Sequence, residues 1–318
     1  MSQKKILVTG GAGNIGSALV KALITDKNNY VIVVDNLSTG DREKLPKLDN
    51  ANFKFVKADC NNYQQLAPIM YSNNFDYVFH FAAVVGVQRT QLHPILVLDD
   101  IDGIKNILSL SKNCSVKHVY FSSSSEVYGE PVEIPQNEYK TPLNSRVPYA
   151  VVKNVGECFF RSYWQEYHLP YTIFRFFNTY GPNQSTDFVI PRFLSCALKG
   201  EPITIYGEGS QTRTFTYVDD TIDTIIKIFN DNLLNNDVIN IGSDKLITIL
   251  DLAKAIIKIS ESKSQIHFLP PLGEGDMTRR QPDNSKMKEI LARDLKSLED
   301  GVKILMNDPL FLKLIKIK

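Results

Sequence analysis

The sequence predicts an α/β fold, a doubly wound parallel sheet with a smaller C-terminal lobe. Three observations predict it. Short β-branched runs alternate with amphipathic segments through the first half, a glycine cluster follows the first run, and the alternation loosens past about residue 180. The 318 residues are 43% hydrophobic and 22% charged, a globular composition that excludes disordered and fibrous classes.

Ile6–Thr9 is the first strand, followed by the glycines and a helix from about Asn14 to Asp26. Tyr30–Val34 is continuously apolar, as a strand buried on both faces should be. Phe53–Val56, Tyr77–His80 and His118–Ser122 read as further strands, the last reached through a helical pattern from about Ile95 to Ser111. Helical segments of this length between strands imply right-handed crossovers. Later come a helix over Asp187–Leu198, a strand at Ile203–Tyr206, helices near Asp219–Asn230 and Thr248–Ser260, and a Pro/Gly stretch at Pro270–Gly273. We assign residues 1–180 to a dinucleotide-binding domain and 181–318 mostly to the lobe, interleaved without a clean linker. The lysine-rich end, 313–318, reads as a solvated or frayed terminus.

Lys plus Arg is 36 against 35 acidic residues, a net charge of +1, so no nucleic-acid partner is expected. Cys60, Cys114, Cys158 and Cys196 are far apart, and the five histidines are dispersed, so neither a disulfide framework nor a metal site is expected. The N-terminus lacks a signal-peptide pattern and no run of about 18 apolar residues occurs, which points to a cytoplasmic protein with no membrane partner.

Gly10-Gly11-Ala12-Gly13-Asn14-Ile15-Gly16 lies between the first strand and the first helix, the context that makes such a pattern a dinucleotide fingerprint and the domain Rossmann-type. The glycines allow a tight turn and close backbone approach, and the helix N-terminus faces the pyrophosphate. Asp35 ends the second strand about 20 residues past the glycines, where a carboxylate hydrogen-bonds an adenosine ribose and repels a 2′-phosphate, so NAD is favoured over NADP. Asp59, at the end of the third strand, is placed to approach the adenine.

Tyr149 and Lys153 are four apart and share one face of a helix. Tyrosine is a weak base at its ordinary pKa of about 10; a neighbouring ammonium, helped by the nicotinamide's positive charge, favours the phenolate and brings it toward the working range. Ser122–Ser125 and Glu126 follow a sheet strand and so lie at its carboxyl edge, where such folds bind ligands.

Taken together, the glycine fingerprint, Asp35, His80-Phe81-Ala82-Ala83, the serine loop and Tyr149/Lys153 resemble the extended short-chain dehydrogenase/reductases, specifically the NAD-dependent nucleotide-sugar epimerases, dehydratases and decarboxylases. The likeness runs from about Lys5 to about Leu291. It implies an enzyme with NAD held by Gly10, Gly13, Asn14, Ile15, Gly16, Asp35, Asn36, Ser38, Thr39, Gly40, Asp59, Cys60, Phe81, Ala82, Ala83 and Lys153. It implies catalysis by Ser124 (hydroxyl), Tyr149 (base), Lys153 (cation) and Glu126. Segments 176–182, 205–213 and 279–283 resemble those that hold the nucleoside diphosphate sugar, which places Ser125, Asn178, Val189, Tyr206, Arg213 and Arg280 at the substrate. A homodimer through the Tyr149 helix and the helix near Ile104 is implied as well.

The shared first step is oxidation at carbon 4 of the hexose. Dehydration to a 4-keto-6-deoxy sugar is put first, because Glu126 resembles the dehydratase base and the spacing from Gly181 to Pro191 resembles that of dehydratases. Ser125 departs from the glucose-type dehydratases, which carry Asp there, whereas mannose-type enzymes resemble this sequence. Arg279-Arg280-Gln281-Pro282-Asp283 resembles the decarboxylases, so uronate decarboxylation and 4-epimerisation stand as alternatives. An NAD-binding regulator without turnover is the alternative of another class. Asp100 stands where many relatives have Asn, which limits it to accepting hydrogen bonds.

Overall fold

Why the apolar runs become a central sheet follows from their continuity: a strand covered by helices on both faces has no polar face. The structure, a computed structural model, describes residues 3–47, 50–271 and 279–316. The first half runs β1 (Lys4–Thr9), α1 (Asn14–Leu23), β2 (Asn29–Asp35), β3 (Phe53–Lys57), α2 (Tyr63–Asn73), β4 (Tyr77–His80), α3 (Val87–Leu92), α4 (Pro94–Leu98), α5 (Asp100–Asn113), β5 (His118–Ser124), α6 (Pro148–Tyr167) and β6 (Tyr171–Phe176). A single 3-10 turn, Ser125–Tyr128, follows β5. The second half runs β7 (Thr179–Tyr180), α7 (Val189–Lys199), β8 (Ile203–Tyr206), β9 (Thr212–Thr214), β10 (Thr216–Tyr217), α8 (Val218–Asn230), β11 (Asp237–Ile241), β12 (Leu246–Thr248), α9 (Ile249–Ile259), β13 (Ile266–Leu269), α10 (Ser285–Leu291), α11 (Leu298–Met306) and α12 (Pro309–Leu314).

Seven strands form one parallel sheet in the order β3-β2-β1-β4-β5-β6-β11. The direction of winding reverses between β1 and β4, which opens a crevice at the carboxyl ends of these strands, the place where ligands bind in such sheets. The last strand, β11, comes from beyond residue 180, so the chain leaves for the lobe and returns to finish the sheet.

Alternation along each strand sends side chains to two cores. Ile6, Val8, Val31, Val33, Phe79 and Phe174 pack on the side of α1 and α8, while Leu7, Ile32, Val34, Val78, Phe121 and Ile173 pack on the side of α2, α5 and α6. The first core continues without a break into the lobe through Ile190, Phe193, Ile203, Ile205, Leu252 and Ile256.

Two expectations are corrected. The helix expected over 95–111 is divided at Asp99 into α4 and α5. The C-terminal end is not frayed through residue 315: Asp308 caps α12 by accepting from the Leu310 and Phe311 N–H groups, and Phe311 and Ile315 are buried in the first core. Two apolar side chains one turn apart therefore outweigh the surrounding lysines, of which Lys313 pairs with Glu43 at 2.6 Å. Residues 317 and 318 lie outside the described residues, as does most of the expected Pro/Gly stretch. Among the described residues no helix is long and apolar enough to cross a membrane.

Candidate active site

Two groups of predicted residues line the carboxyl edge of the sheet. The first surrounds the turn from β1 into α1. Gly10 has φ +68°, and a Cβ there would come within 2.5 Å of the Ala82 nitrogen, so the close approach of this turn to the loop after β4 requires glycine. Gly13 is the N-cap of α1 and supplies no side chain to the first-turn N–H groups of Asn14, Ile15 and Gly16. Those donors belong to a helix end suited to a pyrophosphate.

Asp35 is buried at the end of β2. Its Oδ2 accepts from Ala12 N at 2.9 Å and its Oδ1 from Leu37 N at 2.8 Å. Each oxygen keeps a further lone pair, which suits two ribose hydroxyls. Asn36 accepts from Ser38 N at 2.9 Å and donates to Asp59 Oδ2 at 3.1 Å, joining the loops after β2 and β3. Thr39 is exposed and Gly40 lies against Ala12 and the Asp35 carboxylate. Cys60 is buried, and burial followed by the neighbouring Asp59 and Asp100 carboxylates pushes its thiol well above the usual range, so it remains protonated. Phe81, Ala82 and Ala83 follow β4, tied to β1 by Phe81 N donating to Thr9 O at 3.1 Å. This glycine cradle with a carboxylate behind it fits NAD.

The second group is built on α6 and the loop after β5. Pro148 occupies the first turn of α6, where its missing N–H is harmless, and Tyr149 follows. The Ser124 hydroxyl lies close enough to the Tyr149 phenol to favour its ionised form, and Ser124 accepts from Glu126 N at 3.2 Å. Arg280 Nη1 lies 3.5 Å from Glu126 Oε1; the arginine is 9% and the glutamate 27% exposed at the side chain. Ser125, beside them, is buried. Burial, then the Glu126 and Asp100 carboxylates, push the Tyr149 pKa above its ordinary value, while the Ser124 hydroxyl and Arg280 act downward. The chain's own groups hold the phenol up, so the lowering expected from the sequence falls to the nicotinamide charge that the same expectation includes.

Lys153 is buried, donates to Ser122 Oγ at 3.4 Å, and has its pKa lowered to about 8 by burial, with Asp100 and Cys60 opposing the shift. Asp100 accepts from Val84 N at 2.7 Å and from Asn61 Nδ2 at 3.2 Å, so its two oxygens hold the loops after β4 and β3 beside Lys153.

The remaining predicted residues sit on the lobe side. Asn178, after β6, donates to Thr214 O at 3.0 Å. Val189 opens α7, and Tyr206 ends β8 under the Arg192 guanidinium, 5.7 Å from its ring centre. Arg213 is buried on β9 and donates to Thr212 O at 2.8 Å. Asn61 was not among the expected residues, and neither were Glu157, Arg175 and Tyr128, which pack behind the serine loop. The Lys153-x-x-x-Glu157 spacing, which extends the Tyr149 face by one turn, was the available signal.

The model of the NAD dependent epimerase/dehydratase family matches residues 6–242. The chain belongs to this family. It is a family of enzymes, and NAD is the cofactor. A UDP-N-acetyl-alpha-D-glucosaminuronate decarboxylase of Bacillus cytotoxicus is 36% identical over 91% of this chain and 92% of its own length. UDP-glucuronic acid decarboxylase 1 of Danio rerio is 33% identical over 94% of this chain and 71% of its own. Among solved structures, the UDP-glucose 4-epimerase of Thermotoga maritima with UDP-glucose superposes with a TM-score of 0.87 at 33% identity, covering 95% of this chain and 97% of that one. The family member described here thus has relatives that share the Rossmann-type sheet and act on UDP-sugars.

Proposed function

We propose that this family member is a UDP-hexuronate decarboxylase that oxidises carbon 4 and then releases the carbon 6 carboxylate as carbon dioxide. The observation that carries this reading is the Arg280–Glu126 contact beside Tyr149. It places a guanidinium, a natural carboxylate ligand, next to the group that handles the carbon 4 hydroxyl. The two decarboxylase relatives support the same choice. Dehydration, put first on the sequence, needs an acid to expel the carbon 6 hydroxyl; the buried Ser125 occupies the position where glucose-type dehydratases carry one, which leaves that reading only its mannose-type form.

NAD, when bound, would supply a positive ring that favours the phenolate and a reversible acceptor for the carbon 4 hydrogen. Tyr149, ionised, takes the carbon 4 hydroxyl proton, and Ser124 hydrogen-bonds the same oxygen. Lys153 holds a ribose hydroxyl and keeps positive charge near the phenolate. With a ketone at carbon 4 the substrate is a β-keto acid. The bond from carbon 5 to the carboxylate breaks, its electron pair moves onto the carbon 4 oxygen, where Tyr149 and Ser124 lie, and a proton taken up at carbon 5 from solvent restores the ketone before carbon 4 is reduced again. Arg280 orients the departing carboxylate, and Glu126 fixes Arg280. Asn178 and Arg213 hold the diphosphate and nucleoside, and Val189 and Tyr206 flank the base.

The test is mass spectrometry of products from UDP-glucuronate, UDP-N-acetylglucosaminuronate and UDP-glucose. Loss of carbon dioxide from a uronate is expected. Arg280→Lys should slow that loss roughly 100-fold, about 2.7 kcal/mol of barrier, while a reduced-nicotinamide absorbance still forms on the protein. Conversion of UDP-glucose to its carbon 4 epimer, with both uronates untouched, would instead establish a 4-epimerase, the reading favoured by the Thermotoga maritima structure.

A further inference from the structure

Tyr149, Lys153 and Glu157 are spaced four apart on α6 and meet the end of β5 one after another. Tyr149 faces Ser124, whose hydroxyl favours the phenolate, Lys153 donates to Ser122, and the fully buried Glu157 accepts from Ser123 Oγ at 2.7 Å. Gly156 permits this closeness, since a Cβ there would come within 2.5 Å of the Phe121 ring. The first two rungs contain the groups assigned to catalysis. The third contains none, yet it is the most heavily bonded.

Arg175, on β6 and 1% exposed, grips Glu157 through Nε at 2.8 Å and Nη2 at 2.7 Å, the two-pronged geometry of a strong pair. Arg161 adds a third bond to the same carboxylate at 2.8 Å. Arg175 turns its remaining prong, Nη1, to the Tyr128 hydroxyl at 2.8 Å and to Glu138 O at 3.1 Å. Tyr128 in turn donates to Asn240 Oδ1 on β11 at 2.7 Å, and its ring lies 4.9 Å from the guanidinium centre.

Ser123 and Tyr128 are the residues on either side of the stretch Ser124–Val127. Both ends of the reacting loop are therefore fastened to one ion pair, and that pair stands on the helix that carries Tyr149. A buried ion pair adds little net stability over apolar residues of the same shape, so stability does not account for this one. Its geometry accounts for it: two fixed points and a rigid strut between them.

We propose that the buried Glu157–Arg175 pair is a positioning device that sets the Ser124–Glu126 loop against the Tyr149 phenol by anchoring the loop at Ser123 and Tyr128. The proposal rests on the assignment of Ser124, Glu126 and Tyr149 to the reaction and extends it to residues that touch no substrate. A displacement of about 1 Å in a reacting group costs on the order of 100-fold in rate, so a strut of this kind acts on turnover and leaves binding alone.

Removing Glu157 would strand a buried arginine, so the test removes the anchors instead. The double variant Ser123→Ala/Tyr128→Phe deletes two hydroxyls and leaves the ion pair in place. Its crystal structure should show Ser124 Oγ displaced by about 1 Å or more from its place beside the Tyr149 phenol. Carbon 4 oxidation, followed as bound reduced nicotinamide with each UDP-sugar above, should be slowed roughly 100-fold. NAD content and KM should stay within about twofold of the parent, and Ser123→Thr, which keeps the hydroxyl, should retain most of the rate. An unmoved loop with an oxidation rate near that of the parent would overturn the proposal. So would rate, KM and NAD retention declining together with melting temperature, the mark of a merely structural role. If the parent oxidises none of these sugars, the functional assignment fails, and the loop position in the crystal still decides this one.

Discussion

At Tyr149 four neighbours pull against one another. Burial and the Glu126 and Asp100 carboxylates oppose the phenolate, whereas Ser124 and Arg280 favour it. Tyr149→Phe removes the only atom that this contest concerns, so turnover should fall by about 100- to 10,000-fold while NAD is retained, checked by single-turnover kinetics and by cofactor content after purification. Turnover near that of the parent would remove Tyr149 from the role of base. The pair Tyr149/Lys153 was legible in the sequence because four-residue spacing on a helix guarantees a shared face. The direction of the phenol's shift was not legible, since it depends on Glu126 and Arg280, which the fold brings together across 154 positions of sequence. Asp100 is a middle case. Its restriction to accepting hydrogen bonds follows from its chemistry, but its donors, Val84 N and Asn61, are known only from the structure.

The strands were the most legible elements, because β-branched runs buried on both faces leave a continuous apolar signature. β6 and β11 escaped notice. Arg175 and Asn240 interrupt their apolar runs, and both polar side chains are satisfied within the buried network rather than by water. Two strands carry a liability of another kind. His80 on β4 shares a 2.8 Å hydrogen bond with Thr9 and is lowered by burial, with Lys153 adding to the effect, to about 3. His118 on β5 shares one of 2.9 Å with Thr172 and is lowered by burial to about 4. The unfolded chain takes up protons at these histidines near pH 6.5 and the folded chain does not. Below that pH the unfolded state binds more protons, so stability falls with pH, by up to about 1.4 kcal/mol per pH unit for each histidine, until the folded values near 4 and 3 are passed. Denaturant midpoints measured from pH 7 to pH 4.5 should decline accordingly, and His118→Asn should flatten the decline. A flat profile in the parent would show that these rings are charged in the folded state.

On the scale of the whole molecule, the exposed apolar side chains are unevenly placed. Leu92, Ile95 and Leu96 at α3 and α4, with Val151 and Trp164 on α6, are exposed, Leu92 by 73% and Ile95 by 71%. Large apolar groups gathered on neighbouring helices mark an association surface more often than a solvated one. The two-fold contact implied by the family resemblance pairs α6 with α5, the helix near Ile104, and this patch adjoins it only through α6; on that resemblance, sedimentation equilibrium at about 10 μM should return twice the 36.0 kDa chain mass. A chain-sized mass would rule out that contact. The fold class was legible at this scale from the alternation of elements. The way the lobe shares its core with the sheet was not, because it depends on one continuous core that joins residues as far apart in sequence as Ile6 and Ile256, which no local pattern links.

The return of the chain to supply β11 bears on how the protein is made. While the ribosome is still producing the lobe, β6 is the outer strand of a six-stranded sheet, and its backbone N–H and C=O groups are open to any passing extended segment. They are covered only when residues 237–241 have left the exit tunnel and paired with Thr172–Phe176. Early termination anywhere in the intervening stretch would therefore yield a nascent fragment with a sticky edge, a substrate for chaperones and proteases rather than a working half-enzyme.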